Sequence, residues 1–247
     1  MTPPDVIEDF AAEQDHIEAL LTKLSPADWL TPSAAAGWTV ADVVLHLAQT
    51  EEGVSAALGA GSPSVRWGDY GSTVDDAMDA MVRSQRAEPA EVFERWRTAR
   101  RASNAALRAA DPHRPVPWVA APLKPPALAT TRLAEHWAHA LDITDPLGVP
   151  YPDTARLRNV AWLAHRTLPY AFAVAKQEMP GPVFCDLTGP DGTPWPIGPA
   201  DAESVISGPA SAFCRVAAQR LAPGDSGLAT AGPFAGEALR VVRTYAA

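Results

Sequence analysis

Apolar residues recur at helical spacing over the first two-thirds of the chain and lose that rhythm in the last third. From Asp5 to Leu24 the series Ile7, Phe10, Ile17, Leu20, Leu21 and Leu24 marks one face of a helix, and Ser25-Pro26 ends it. Trp29 to Gly37, rich in Pro, Ser and Ala, predicts a connection. Thr39 with Asp42 three residues later reads as a capping box, so a second helix starts there with Val40, Val43, Val44 and Leu47 as its stripe. A third helix fits Pro89 to Ala110, with Val92, Phe93, Trp96, Ala99 and Leu107 inward. Six prolines between Asp111 and Pro126 predict a long loop, and loops of that length are usually functional or mobile. The fourth helix covers Ala127 to Thr144 and the fifth Thr154 to Gln177. Long amphipathic helices without strands between them predict a helical bundle.

After Pro180 the pattern changes. Val183 to Leu187 alternates as a strand does, Asp191-Gly192 is a hairpin turn, and Thr193–Ile197 is the return strand. Ser204–Ser207 and Leu228–Ala231 fit further strands. Pro209 opens a helix running through Phe213, Val216, Ala217 and Arg220, and Phe234–Tyr245 fits a last one. The expected fold class is α+β: a helical bundle over residues 1–179, then a small α+β unit over 180–247.

Composition narrows the function. The net charge is −9, which argues against nucleic acid or an anionic membrane as partner. Two cysteines, Cys185 and Cys214, make no disulfide framework and no CxxC pair. The acidic start lacks a signal-peptide pattern, and the apolar run Val160–Val174 is broken by His165, Arg166 and Pro169. A cytoplasmic protein is expected. Proline, 25 of 247 residues, is about twice as frequent as usual, so much of the chain must be loop and turn.

The chemistry concentrates in Arg132-Leu-Ala-Glu135-His136-Trp-Ala-His139-Ala-Leu-Asp142. Glu135, His139 and Asp142 share one stripe of a helix, opposite Leu133 and Trp137. An i, i+4 Glu/His pair presents a carboxylate and an imidazole to one divalent ion. The plainer alternative is a solvated face, but Ala134, Ala138 and Ile143 border the stripe and make the helix apolar nearly all round. Such a helix is buried, and its polar groups need partners. A third ligand must come from elsewhere. His46, on the polar edge of the second helix with Asp42 and Thr50, is the best candidate, against a plain hydrogen-bonded histidine. His16 and His113 read as surface residues. His165 stays open as a pocket residue, and His136 points away from the stripe. Three ligands would leave a position open, as in catalytic zinc sites. No GxSxG elbow, HExxH or P-loop is present. Arg95, Arg97, Arg100 and Arg101 read as a solvated face balanced by Glu88, Glu91 and Glu94.

Gly37-Trp38-Thr39-Val40-Ala41-Asp42-Val43-Val44-Leu45-His46-Leu47 resembles the GWTVxDVVxHL segment of the DinB-like, mycothiol-dependent maleylpyruvate isomerase superfamily. The resemblance puts the first metal-binding histidine on His46 and the family's Glu-x-x-x-His pair on Glu135 and His139, followed by Asp142. Leu187 to Trp195 and Ser207-Gly-Pro-Ala210 are similar to the family's sterol-carrier-protein-like tail, with Gln219-Arg220 at the end of the tail's first helix. Glu51, where many relatives have Asp, and the loop Arg66–Tyr70 depart from the plainest pattern.

The resemblance implies a divalent metal, zinc expected, on His46, Glu135 and His139, with Asp142 orienting His139 from behind. It further implies a low-molecular-weight thiol such as mycothiol, a small electrophilic substrate, and isomerisation or S-transfer, with Arg220 binding a substrate carboxylate as catalytic residue. Two alternatives stand beside this. One is a thiol-independent cyclase or hydro-lyase of specialised metabolism, with Trp67, Tyr70, Trp118 and Trp162 lining a cavity in the bundle. The other is a non-catalytic metal- or ligand-binding protein.

Overall fold

The computed structural model describes residues 5–60, 70–119 and 121–245. Internal contacts divide the chain after Tyr151 into two compact units, the second being Pro152–Tyr245. The bundle and tail expected over 1–179 and 180–247 thus meet a contact division that falls earlier in the chain.

The first unit is built on four long helices, α1 (Val6–Leu21), α3 (Val40–Ala57), α5 (Pro89–Ala109) and α6 (Pro125–Leu147). Shorter α2 (Pro26–Leu30) and α4 (Val74–Ser84) lie between them. Two of these helices differ from expectation. Ser25-Pro26 ends α1 but also opens α2, because Ser25 and Asp28 close a capping box with Pro26 in the first turn. Helix α4, which the sequence reading does not include, buries Ala77, Met78, Met81 and Val82 at helical spacing and is capped by Thr73. Thr39 and Asp42 form the expected box at the start of α3. In the proline-rich connection, Val116 and Leu123 pair as a short antiparallel bridge. The core is filled by Phe10, Ile17, Leu21, Leu45, Leu47, Trp96, Leu107, Leu128 and Leu133, each at most 1% exposed. Burying a side chain of that size stabilises by about 1.5–3 kcal/mol, so the bundle has ample apolar support for a few buried charges. The arginines of α5 do more than face water. Arg95 grips Glu52 on α3, and Arg97 and Arg100 reach Glu18 on α1.

In the second unit, the single helix expected over Thr154–Gln177 is two, α7 (Leu157–Arg166) and α8 (Leu168–Val174). Pro169 stands in the first turn of α8, where it tolerates no helix running through it. Strands β1 (Val183–Thr188), β2 (Pro194–Ile197), β3 (Ser204–Pro209) and β4 (Ala229–Ala231) form one sheet in the order β2-β1-β3-β4. β1 and β2 pair antiparallel as the Asp191-Gly192 turn predicts, with Cys185 opposite Ile197, and β1 runs parallel to β3. Helices α9 (Ala210–Ala217) and α10 (Ala235–Val241) complete the unit. The fold is α+β. Among the described residues no helix is long and apolar enough to cross a membrane.

Candidate metal centre

Helix α6 is buried nearly all round, as its composition predicts. From Arg132 to Thr144 every residue is buried except Glu135 and His139. The helix is therefore closed along that stretch except at the two expected ligands, and His46 of α3 comes in beside them.

His46 Nε2 lies 3.0 Å from Glu135 Oε1, and His139 Nε2 lies 3.5 Å from the same oxygen. The two imidazoles meet edge to face at 4.9 Å. One ligand atom from each of the three residues lies within 4.8 Å of the others. Ligands sharing a tetrahedral ion at bonds of about 2.0–2.1 Å sit about 3.4 Å apart, close to the two nitrogen–oxygen separations. The donor set, two imidazoles and a carboxylate, suits zinc and its first-row neighbours. His46, Glu135 and His139 together fit a metal.

The residues around the triad explain its charge. Asp142, 1% exposed, accepts from His139 Nδ1 at 2.9 Å, which turns Nε2 toward Glu135. Burial pushes the His139 imidazole down, but the hydrogen bonds to Asp142 and Glu135 outweigh it and raise its pKa to about 8. Desolvation raises Glu135, yet hydrogen bonds from His139 and His46 hold its carboxyl well below the usual range. Burial holds His46 down and neutral, against the pull of Glu135. Trp38 walls the site with its ring, 5.2 Å from His46 and 6.4 Å from His139. Its indole donates to Asp79 of α4 at 2.9 Å, and Gly37 (φ +81°) makes the turn that presents it. The sequence showed Trp38 within the motif and gave it no role.

Other expected residues lie elsewhere. His136 is fully buried on a neighbouring flank of α6, donating from Nδ1 to the Arg132 carbonyl at 3.0 Å, and burial keeps it neutral. His165 donates to the Val183 carbonyl at 2.8 Å inside the second unit. Asp42 serves the start of α3, held by Thr39 and by Arg86 Nε and Nη2 at 2.8 Å each. Glu51 is wholly buried against Arg132 at 2.9 Å. Of the aromatics expected around a cavity, Trp162 is 47% exposed on the second unit and Tyr70 is 39% exposed. Trp118 stacks over the Arg132 guanidinium. Trp67 and residues 66–69 lie outside the described residues. Arg220 stands past the end of α9, which stops at Ala217, because Gln219 takes the left-handed conformation (φ +57°). The Arg220 amide bonds back to Arg215 and the Gln219 amide to Val216, a Schellman closure, and Arg220 Nη1 donates to the Ala218 carbonyl at 2.7 Å. That guanidinium contact serves its own helix end.

A helical bundle carrying a two-histidine, one-carboxylate cluster, joined to a small α+β unit, defines the class of protein. A family model described as the mycothiol maleylpyruvate isomerase N-terminal domain matches residues 10–144, more than half of the chain and all three candidate ligands. The chain belongs to that family. Across its length it is similar to an uncharacterised protein of Mycobacterium tuberculosis, 34% identical over 247 residues in strains CDC 1551 / Oshkosh and ATCC 25618 / H37Rv, covering 99% of this chain and 96% of the relative. Among solved structures it is similar to a mycothiol-dependent maleylpyruvate isomerase, with a TM-score of 0.62 at 17% identity over 91% of both chains. A histidine-to-alanine mutant of such an isomerase aligns with a TM-score of 0.64 at 16% identity, again over 91% of both. At that identity the likeness is one of fold.

Proposed function

We propose that this protein is a metal-dependent enzyme that uses a low-molecular-weight thiol, of the mycothiol kind, on a small electrophilic substrate. The observation that carries the reading is the convergence of His46, Glu135 and His139 on one point, at the only two positions where α6 opens between Arg132 and Thr144. These three residues would hold one divalent ion, zinc being the best match to the donors. When bound, the ion supplies positive charge that favours thiolate over thiol at neutral pH. The chain's own residues do the rest. Asp142 fixes the His139 tautomer, Trp38 excludes water from one side, and buried helix walls lower the local dielectric, which strengthens every charge interaction inside. Addition of the sulfur to an electron-poor double bond leaves a single bond free to rotate. The addition leaves a carbanion: expelling the sulfur as thiolate re-forms the double bond and gives isomerisation, whereas return to that carbon of the proton the thiol gave up gives the S-conjugate. Cys185 and Cys214 are buried in the second unit and raised in pKa, so the thiol must come from outside the chain. Arg220 is a separate proposal, as a side chain that binds a substrate carboxylate; Arg220→Lys should then raise KM more than it lowers kcat.

Metal analysis of the purified protein tests the reading first. About one divalent ion per chain is expected, lost in His46→Ala and in His139→Ala. Full occupancy in both variants overturns the site. Turnover at full rate without added thiol overturns the thiol requirement and moves the protein to the cyclase or hydro-lyase class.

A further inference from the structure

A second polar layer lies one helical turn from the triad, on the same two helices. Arg132 precedes Glu135 by a turn on α6, and Thr50 and Glu51 follow His46 by a turn on α3. Arg132 Nε donates to Glu51 Oε1 at 2.9 Å, and Nη2 donates to Thr50 Oγ1 at 2.5 Å. The Thr50 hydroxyl donates onward to the His46 carbonyl at 3.0 Å, shared with that of Leu47. Ser103 of α5 donates to the other Glu51 oxygen at 2.5 Å. From the Arg132 carbonyl the chain of contacts passes to His136, whose Nε2 faces Trp96 Nε1 at 3.4 Å and Gln14 Nε2 at 3.5 Å. One network therefore joins α1, α3, α5 and α6. At its centre Glu51 and Arg132 are 0% and 4% exposed.

Stability alone does not account for such a pair. A desolvated ion pair is often no better than two well-packed apolar side chains of the same volume, so its retention calls for a geometric reason. The two histidines of the triad supply one. The His139 ring is fixed from its own helix by Asp142, whereas His46 Nδ1 is buried with no hydrogen-bond partner among the described residues. The aim of His46 thus depends on where α3 lies against α6. Metal bonds tolerate errors of only about 0.2 Å, so helix placement must be held closely. Apolar contacts slide; a charged fork with a shared carboxylate and hydroxyl does not.

We infer that Arg132, Glu51 and Thr50 form a positioning clamp for the metal site, setting α3 against α6 so that His46 meets Glu135 and His139. The inference rests on the metal reading above. Cobalt(II) binding to the full-length, chelator-stripped protein, followed by visible absorption and by competition with a chelating dye, tests both separately. Glu51→Leu/Arg132→Met removes both charges together, leaving neither unpaired. Its thermal midpoint without metal should equal or exceed that of the wild type, while cobalt affinity falls 10–100-fold and the absorption band shifts. Thr50→Val, which keeps both charges, should weaken cobalt about tenfold, toward the lower end of that range. Wild-type affinity and spectrum in the double variant overturn the clamp; if the double variant does not fold, the same result in Thr50→Val overturns it. A wild type that takes up no cobalt, or takes it up undiminished in His139→Ala, overturns instead the metal site on which the clamp rests.

Discussion

Metal binding at this site should release a proton, and the amount should fall as pH rises. His139 is buried yet carries a pKa of about 8 because Asp142 and Glu135 both accept from it. In chelator-stripped protein at pH 7 it is therefore protonated in about nine molecules of ten, and at pH 9 in about one of ten. A metal ligand must be deprotonated, so zinc binding should expel about 0.9 proton at pH 7 and about 0.1 at pH 9 from this group. Titration calorimetry in buffers of different ionisation enthalpy measures that number directly. Asp142→Asn removes the charged acceptor, so the His139 pKa should move back toward 6.5 and the release at pH 7 toward about 0.25. Zinc affinity should drop 10–100-fold in the same variant, since the ring loses its orienting partner. The same shift has a stability counterpart. Raised from 6.5 to about 8, His139 contributes about 2 kcal/mol to the stripped fold. A folded-state pKa above the unfolded one stabilises fully below pH 6.5, and that contribution fades as pH rises through 8. Proton release near zero at pH 7, or equal at pH 7 and 9, would refute the linkage between His139 and the ion.

Two further outcomes follow from groups outside the triad. Burial pushes Cys185 up to about 12 and raises Cys214 as well, so neither thiol should react with a disulfide reagent at pH 8 until the protein is denatured, when both should; a fast stoichiometric reaction of the native protein would contradict their burial. The two Arg86 hydrogen bonds and the Thr39 cap outweigh desolvation and hold Asp42 below its ordinary 3.8. Asp42→Ala should therefore cost about 1–2 kcal/mol near neutrality, with the gap to wild type closing as pH falls below 3.8, because a depressed carboxylate stabilises only while ionised. Denaturant midpoints from pH 7 down to pH 3 read both effects, and a gap that stays constant over that range counts against the pairing.

Local pattern made much of this legible. The Glu135/His139 spacing, the Thr39/Asp42 box and the Asp191-Gly192 hairpin are each set by contacts within a turn or two, where sequence distance and spatial distance coincide. The placement of His46, 89 residues from Glu135, was not of that kind. Its place on the polar edge of α3 made it the best candidate for a third ligand and the resemblance named it again, but no periodicity specifies which helix faces which. The merged fifth helix shows the opposite failure, in which an apolar rhythm continues across a real break at Pro169 because α7 and α8 both bury a face. Helix α4 carries the same local signal, with Ala77, Met78, Met81 and Val82 at helical spacing behind a Thr73 cap, and only its shortness beside the long helices hides it.

Arg132 and Glu51 were the least legible of all, and the reason is physical. On a helix, a charged residue reads as a solvated one unless its partner is within four positions, and these two are 81 residues apart. Each looks costly alone, because a buried charge without a partner is among the most unfavourable things a core can hold. Only the assembled bundle turns that cost into a constraint, by permitting a single placement of α3 on α6 in which both charges, Thr50 and Ser103 are satisfied together. With contacts at 2.5–2.9 Å, the Glu51 and Arg132 side chains span the gap between α3 and α6. The buried pair and the triad therefore belong to one problem, the spacing of α3 from α6, rather than to two.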